Sequence, residues 1–257
     1  MTYCVGFLLE AGLVFASDSR TNAGVDYISS YSKMHVFQPA PDRLFVLLTA
    51  GNLATAQAVL HRIRRDIADH QAPEGGGASE ADGPTLLTAR HLFEAADYVG
   101  GLSVAVQQKV GANLRQTGAS ADVTFILGGQ IAGEPHGLFL IYPQGNAISA
   151  TSDTPFLQIG ESKYGKPPLD YVGHSGMSLE DAGRLCLVSQ IITRRSNLTV
   201  GPPFEIAMVP RDELRVSRRL KLGKEAPEIS RTMETWSRTM TDAIQRLPRF
   251  AWEEDPL

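Results

Sequence analysis

The sequence is poor in cysteine, in long apolar runs and in unbalanced charge. Only Cys4 and Cys186 occur among its 257 residues. Both lie in apolar stretches, so they read as buried thiols in a reducing compartment, not as a disulfide framework. They give no metal-ligand spacing, and the histidines (His35, His61, His70, His91, His136 and His174) are scattered without one. No bound metal or organic cofactor is expected. No apolar run approaches the roughly 20 residues of a membrane helix. The opening "MTYCVGFLLEAG" lacks the basic start and long apolar core of a secretory leader, so a cytoplasmic protein is expected. A formal net charge of -4 offers no attraction to a polyanion, which argues against nucleic acid as a partner.

With 43% hydrophobic and 20% charged residues, the composition is that of an ordinary globular protein. The length suits one large domain. "TYCVGFLL" and "GLVFASDS" read as a hairpin linked by "EAG". "RTNAGVDYISSYSKMHVF" carries turn residues Asn22 and Gly24 and ends in a short strand, "KMHVF". "DRLFVLLTAG" is a strand with almost no polar residue, which predicts cover on both faces. "NLATAQAVLHRIRRDIADH" turns helical: Leu53, Ala56, Val59, Leu60, Ile63 and Ile67 recur at spacings of three and four, with Asn52 as N-cap and "RIRRD" on the wet face. "QAPEGGGASEADGP" reads as a loop. A second helix is expected over 85–116, with Gly100 and Gly101 as candidate kink points.

The second half brings strands again: "DVTFILGGQI", "GLFLIYPQG", "NAISAT" and "FLQIG". The helix "SLEDAGRLCLVSQIITRR" follows, with Ser178 and Asp181 forming a capping box, then the strand "PFEIAMVP". The basic run "RVSRRLKLGK" reads as a solvated strand edge or a subunit contact for acidic residues such as those of "WEEDP", and a last helix surrounds "SRTMETWSRTMTDAIQRL". Strand runs and helix runs are segregated. That favours an α+β fold with sheets packed face to face and helices outside.

The candidate chemistry starts at Thr2. If Met1 is trimmed, Thr2 carries a hydroxyl and a free amine on one residue: a nucleophile with its own base. In a hairpin turning at "EAG", the end of the second strand lies beside the start of the first, which brings Asp18 near Thr2. Lys33 begins the next strand-like run, and an ammonium there would favour deprotonated neighbours. Gly51, where "LTAGN" passes from strand to helix, lets a backbone amide approach a substrate closely, and Thr49 and Leu53 flank it as pocket candidates.

"TYCVGFLLEAGLVFASDSRTNAG", "SKMHVF" and "LTAGNLATAQ" resemble proteasome beta-type subunits, which are N-terminal nucleophile (Ntn) hydrolases. "SDSRTNAGVD", "GESKYGKP" and "RSNLTVGPP" look like the bacterial branch Anbu, the ancestral beta subunit. The resemblance implies a four-layer αββα sandwich of two antiparallel sheets, spanning 1–257 as one domain with a C-terminal extension from about residue 211. It implies Thr2 as nucleophile and amine base, Lys33 lowering the barrier to proton removal, Asp18 orienting Lys33, and Gly51 supplying an oxyanion N–H. Where the family has a serine in an "IGSG"-like segment, this chain has "IGES", so Glu161 or Ser162 stands in. In place of an Asp-x-x-Ser-Gly segment it has "SNLTVG", with Ser196 at the aspartate and Thr199 at the serine position. The implied activity is hydrolysis of peptide or amide bonds within a homo-oligomeric ring or open spiral, without cofactor. A catalytically weak scaffold that binds peptides and a small-molecule amidase are the alternatives. No residue points to an unfoldase partner.

Overall fold

The computed structural model describes residues 2–22, 28–71, 83–116 and 118–253. Met1, Gly24 and most of the loop expected over 71–84 lie outside them. In chain order the elements are β1 (Tyr3–Leu9), β2 (Gly12–Asp18), β3 (Arg20–Asn22), β4 (Ile28–Ser30), β5 (Met34–Ala40), β6 (Arg43–Gly51), α1 (Leu53–Gln71) and α2 (Leu92–Gln116). There follow β7 (Val123–Ile131), β8 (Gly137–Ile141), β9 (Ala147–Ser149), β10 (Phe156–Gly160), α3 (Lys166–Val172), α4 (Leu179–Ser196), β11 (Phe204–Pro210), β12 (Arg218–Leu222) and α5 (Pro227–Gln245).

One antiparallel sheet runs β10-β1-β2-β11-β12 and a second runs β5-β6-β7-β8-β9, while β3 and β4 pair as a small ribbon. Side-chain alternation decides what each sheet faces. In β1, Tyr3, Val5, Phe7 and Leu9 join a cluster with Leu169, Leu185, Cys186 and Ile229 of α3, α4 and α5. The intervening Cys4 packs instead with Leu13 and Phe15 against Met34, Leu48 and Ile126 of the other sheet. In β6, Phe45 and Leu47 turn outward onto Val59, Ile63, Ala95 and Val99 of α1 and α2. Three apolar clusters thus stack as helices on sheet, sheet on sheet, and sheet on helices. Strands buried on both faces explain the near-continuous apolar runs of β1, β2 and β6.

Both expected caps form. Asn52 Oδ1 accepts from the Thr55 N–H at 3.0 Å, and Ser178 Oγ accepts from the Asp181 N–H at 3.1 Å. The second helix starts later than expected, at Leu92 and not near 85. Thr85 and Thr88 spend their hydroxyls on a local turn, which competes with helix, and Glu94 accepts from the N–H groups of Arg90 and His91. The helix runs on through Gly100, where a Cβ would strike the backbone of Gly145, so the glycine serves a close approach. Within the run 215–224, Arg218–Leu222 forms an edge strand, as one of its readings had it. Among the described residues, no helix is long and apolar enough to cross a membrane, and no cluster of metal-ligating side chains occurs.

Candidate active site

Thr2 directly precedes β1 and is fixed by hydrogen bonds at and beside it on both sides. Toward β2, the Tyr3 N–H donates to Asp18 Oδ1 at 2.9 Å. Toward β10, Thr2 O accepts from the Glu161 N–H at 2.7 Å. Gly160 makes this possible: its φ is +85°, and a Cβ there would run into the Thr2 carbonyl. Tyr3 is fully buried, and its hydroxyl meets Ser189 Oγ at 2.5 Å. Ser189 spends its own proton on Gly165 O, so Tyr3 is the donor. The first strand is therefore anchored to α4 one residue from its end.

Asp18 closes β2 with no exposed surface. Its Oδ1 accepts from Lys33 Nζ at 2.6 Å as well as from Tyr3, and its Oδ2 accepts from the Gly201 N–H at 3.1 Å. Burial pushes its carboxyl above the ordinary 3.8, against Lys33 and the two N–H groups, which all favour the charged form. Lys33 is 5% exposed and also donates to Arg20 O at 2.7 Å. Ion pair and hydrogen bonds together offset part of the desolvation of the two charges. Removing one partner of such a pair typically costs about 3–5 kcal/mol.

Thr2, Lys33, Thr49, Gly51 and Leu53 line one cavity of about 260 Å³, together with Arg20, Thr21, Ala50, Ala56 and Gly160. Gly51 has φ +119°, and a Cβ there would collide with Asp122 O, so the strand-to-helix corner demands glycine. Arg20 Nη1 donates to Leu198 O at 2.6 Å, tying the cavity wall to the turn after α4. The cavity lining brings together Thr2, Lys33 and the Gly51 corner, with the Asp18 carboxylate 2.6 Å from the Lys33 ammonium.

The remaining candidates divide. Glu161 is buried, adjoins the Thr2 carbonyl through its own N–H, and accepts from Lys163 N at 3.0 Å and from Asn197 Nδ2 at 2.8 Å. Thr199 donates its hydroxyl and its N–H to Asn197 Oδ1, at 2.5 and 3.0 Å. Ser162 is exposed and offers its carbonyl to the Lys166 N–H at the entry to α3. Ser196 is exposed at the last position of α4. Its neighbour Asn197 is the residue that joins Glu161 to Thr199. Sequence reading passed over Asn197, although an Asn two residues before a Thr at a helix end is a turn signal. It also passed over Arg20, Gly160 and the anchor Tyr3.

No protein-family model matches the chain, and neither does any curated protein. Solved structures do. The chain is 41% identical to an Anbu (Gly-1) mutant from Hyphomicrobium sp. strain MC1, covering 97% of this chain and 99% of that one at a TM-score of 0.87. Anbu (ancestral beta-subunit) from Yersinia bercovieri is 38% identical, with 97% and 99% covered and a TM-score of 0.83. The Anbu complex of Pseudomonas aeruginosa, solved as a helical assembly, is 40% identical, with 99% and 100% covered and a TM-score of 0.86. Identity near 40% over the full length of both chains, on the same α+β fold, makes this chain a member of the Anbu family, the ancestral beta-subunit homologues of the proteasome.

Proposed function

We propose that this chain is an N-terminal threonine hydrolase of peptide or amide bonds. One observation carries the reading: in a buried Asp18–Lys33 pair, Asp18 accepts from the N–H that follows Thr2, at a cavity that Thr2 and Lys33 both line. Once Met1 is removed, the Thr2 amine takes the hydroxyl proton as Oγ attacks the substrate carbonyl carbon. The Lys33 ammonium stabilises the negative charge that develops, and Asp18 orients it. The Gly51 corner supplies an N–H to the oxyanion. Collapse expels the amine product, which takes the proton, and leaves an ester on Thr2. Water then attacks the ester, releasing the acid and restoring the hydroxyl. Glu161, held by Asn197 and backed by Thr199, is the group nearest in sequence to the Thr2 contact that can support the terminal amine.

The working form is a homo-oligomer. The Pseudomonas aeruginosa relative forms a helical assembly. On this chain Met233, Met240, Ile244, Leu247, Phe250 and Trp252 are exposed along α5 and after it, an apolar surface that a monomer has little reason to keep. A second copy is its occupant.

Intact mass after incubation with a peptide epoxyketone tests the activity. The probe needs both the hydroxyl and the amine of a terminal threonine, so one adduct per chain is expected, lost in Thr2→Ala. No adduct on a chain that begins at Thr2 would overturn the enzyme reading. That result would favour a peptide-binding scaffold, the reading motivated by the altered "IGES" and "SNLTVG" segments, with Ser196 and Thr199 where the family has aspartate and serine. A substrate profile on the assembled particle separates peptidase from metabolite amidase.

A further inference from the structure

Glu205 is a carboxylate in an apolar place. It lies in β11 on the face that Ala207 and Val209 present to the second sheet, and it is 1% exposed. Burying a carboxylate there is costly unless its oxygens are well occupied. They are. Oε1 accepts from Ser19 Oγ at 3.1 Å, and Oε2 meets Arg219 Nη2 at 3.0 Å, with Lys221 Nζ 3.9 Å from Oε1. Although burial opposes ionisation, Arg219, Lys221 and Ser19 help outweigh it and hold the carboxyl below the ordinary carboxylate value.

Ser19 gives these contacts their meaning, because it directly follows Asp18. The chain leaves the sheet after Asp18, forms the β3–β4 ribbon, and returns at Lys33. The carboxylate therefore holds the chain where that excursion begins. Arg219 comes from β12, beyond residue 211, so the C-terminal segment contributes to the same point.

We infer that Glu205 is a positioning residue for the Asp18–Lys33 pair, clamping Ser19, and that β12 supports it through Arg219. The inference rests on the threonine-hydrolase reading for its effect on rate, but not for its effect on local order. It is tested in the full-length protein. Glu205→Ala should lower the maximal rate of Thr2 labelling by a peptide epoxyketone about tenfold to a hundredfold, as expected for a misplaced reacting group, while the probe's reversible binding constant stays within about twofold. Glu205→Gln still accepts from the Ser19 hydroxyl and should remain within about threefold of the parent. Amide hydrogen exchange supplies the second readout. In Glu205→Ala the N–H groups of Tyr3 and Gly201, which bind Asp18, should exchange faster, and those of α1 should not. Should the parent take no adduct, the hydrolase reading fails and exchange alone decides the clamp. Parental labelling and exchange in Glu205→Ala, a uniform rise in exchange that includes α1, or a Gln variant as impaired as Ala would each overturn the inference.

Discussion

The two flanks of Thr2 are built differently. On the β2 side, Asp18 and Lys33 are charged, buried and fixed by strand pairing and by backbone N–H groups. On the β10 side, Glu161, Asn197 and Thr199 come from turns, and their links are mostly local, two residues apart for Asn197–Thr199 and Lys163–Glu161. Strand register constrains the first flank at every position, because a slip of one residue reverses every side chain. Turns impose no such condition, and several polar residues can satisfy the same amides. The first flank is therefore the rigid half of the site and the second the adjustable half.

Substitutions should divide along that line. Thr2→Ala is expected to keep the fold and abolish epoxyketone labelling, as intact mass would show. Lys33→Ala should slow labelling by about a hundredfold to a thousandfold, the cost of losing one stabilising charge or donor. Asp18→Asn should cost about 3 kcal/mol in denaturant unfolding besides slowing labelling, since it strands a buried ammonium. Asp18 also sets an acid limit. Its carboxyl is held above 3.8, so labelling should fall as acidification protonates it, and Asp18→Asn should erase that limb. A Lys33→Ala protein that labels at the parental rate would remove the rigid flank from the mechanism.

Gly51→Ala ranks next. The forced φ of +119° and the collision with Asp122 O should displace the β6–α1 corner and cost about tenfold to a hundredfold in labelling, measured alongside melting temperature. Changes on the turn-built flank should be milder. Glu161→Gln and Asn197→Ala are each expected to slow labelling by less than about tenfold. Were either to match Lys33→Ala, the contrast between the flanks would be wrong. The smallest effect concerns His35, which burial first, and then Arg64, holds down at about 4 from 6.5. The folded state keeps it neutral, so stability is full above 6.5 and falls as pH drops toward 4, by at most about 1.4 kcal/mol per pH unit. His35→Gln should flatten that slope in urea titrations.

The contrast also separates what the sequence discloses from what it hides. Asp18 is legible because a hairpin turning at "EAG" must return its second strand to the start of the first, and the register pairs Cys4 with Ser17. Gly51 is legible because a glycine closes an apolar strand just before a helix cap. Asn197 is hidden because Ser196 and Asn197 are equally good turn formers, and only the exit angle of α4 selects between them. The short α3, entered through Pro167 and Pro168, and the three-residue strands β3 and β4 fall below the length at which periodicity speaks. Glu205 looks, in "PFEIAMVP", like the polar member of an ordinary alternation. Its partner Ser19 is remote in sequence and Arg219 lies on the next strand, and no local pattern unites them.

Tyr3 works as a ruler. Its ring fills the core beneath β1 and its hydroxyl is fastened to α4, so the strand cannot slide to accommodate a different starting point. On the threonine-hydrolase reading, the accuracy demanded of amino-terminal trimming would thus be dictated by an aromatic side chain that does not line the cavity.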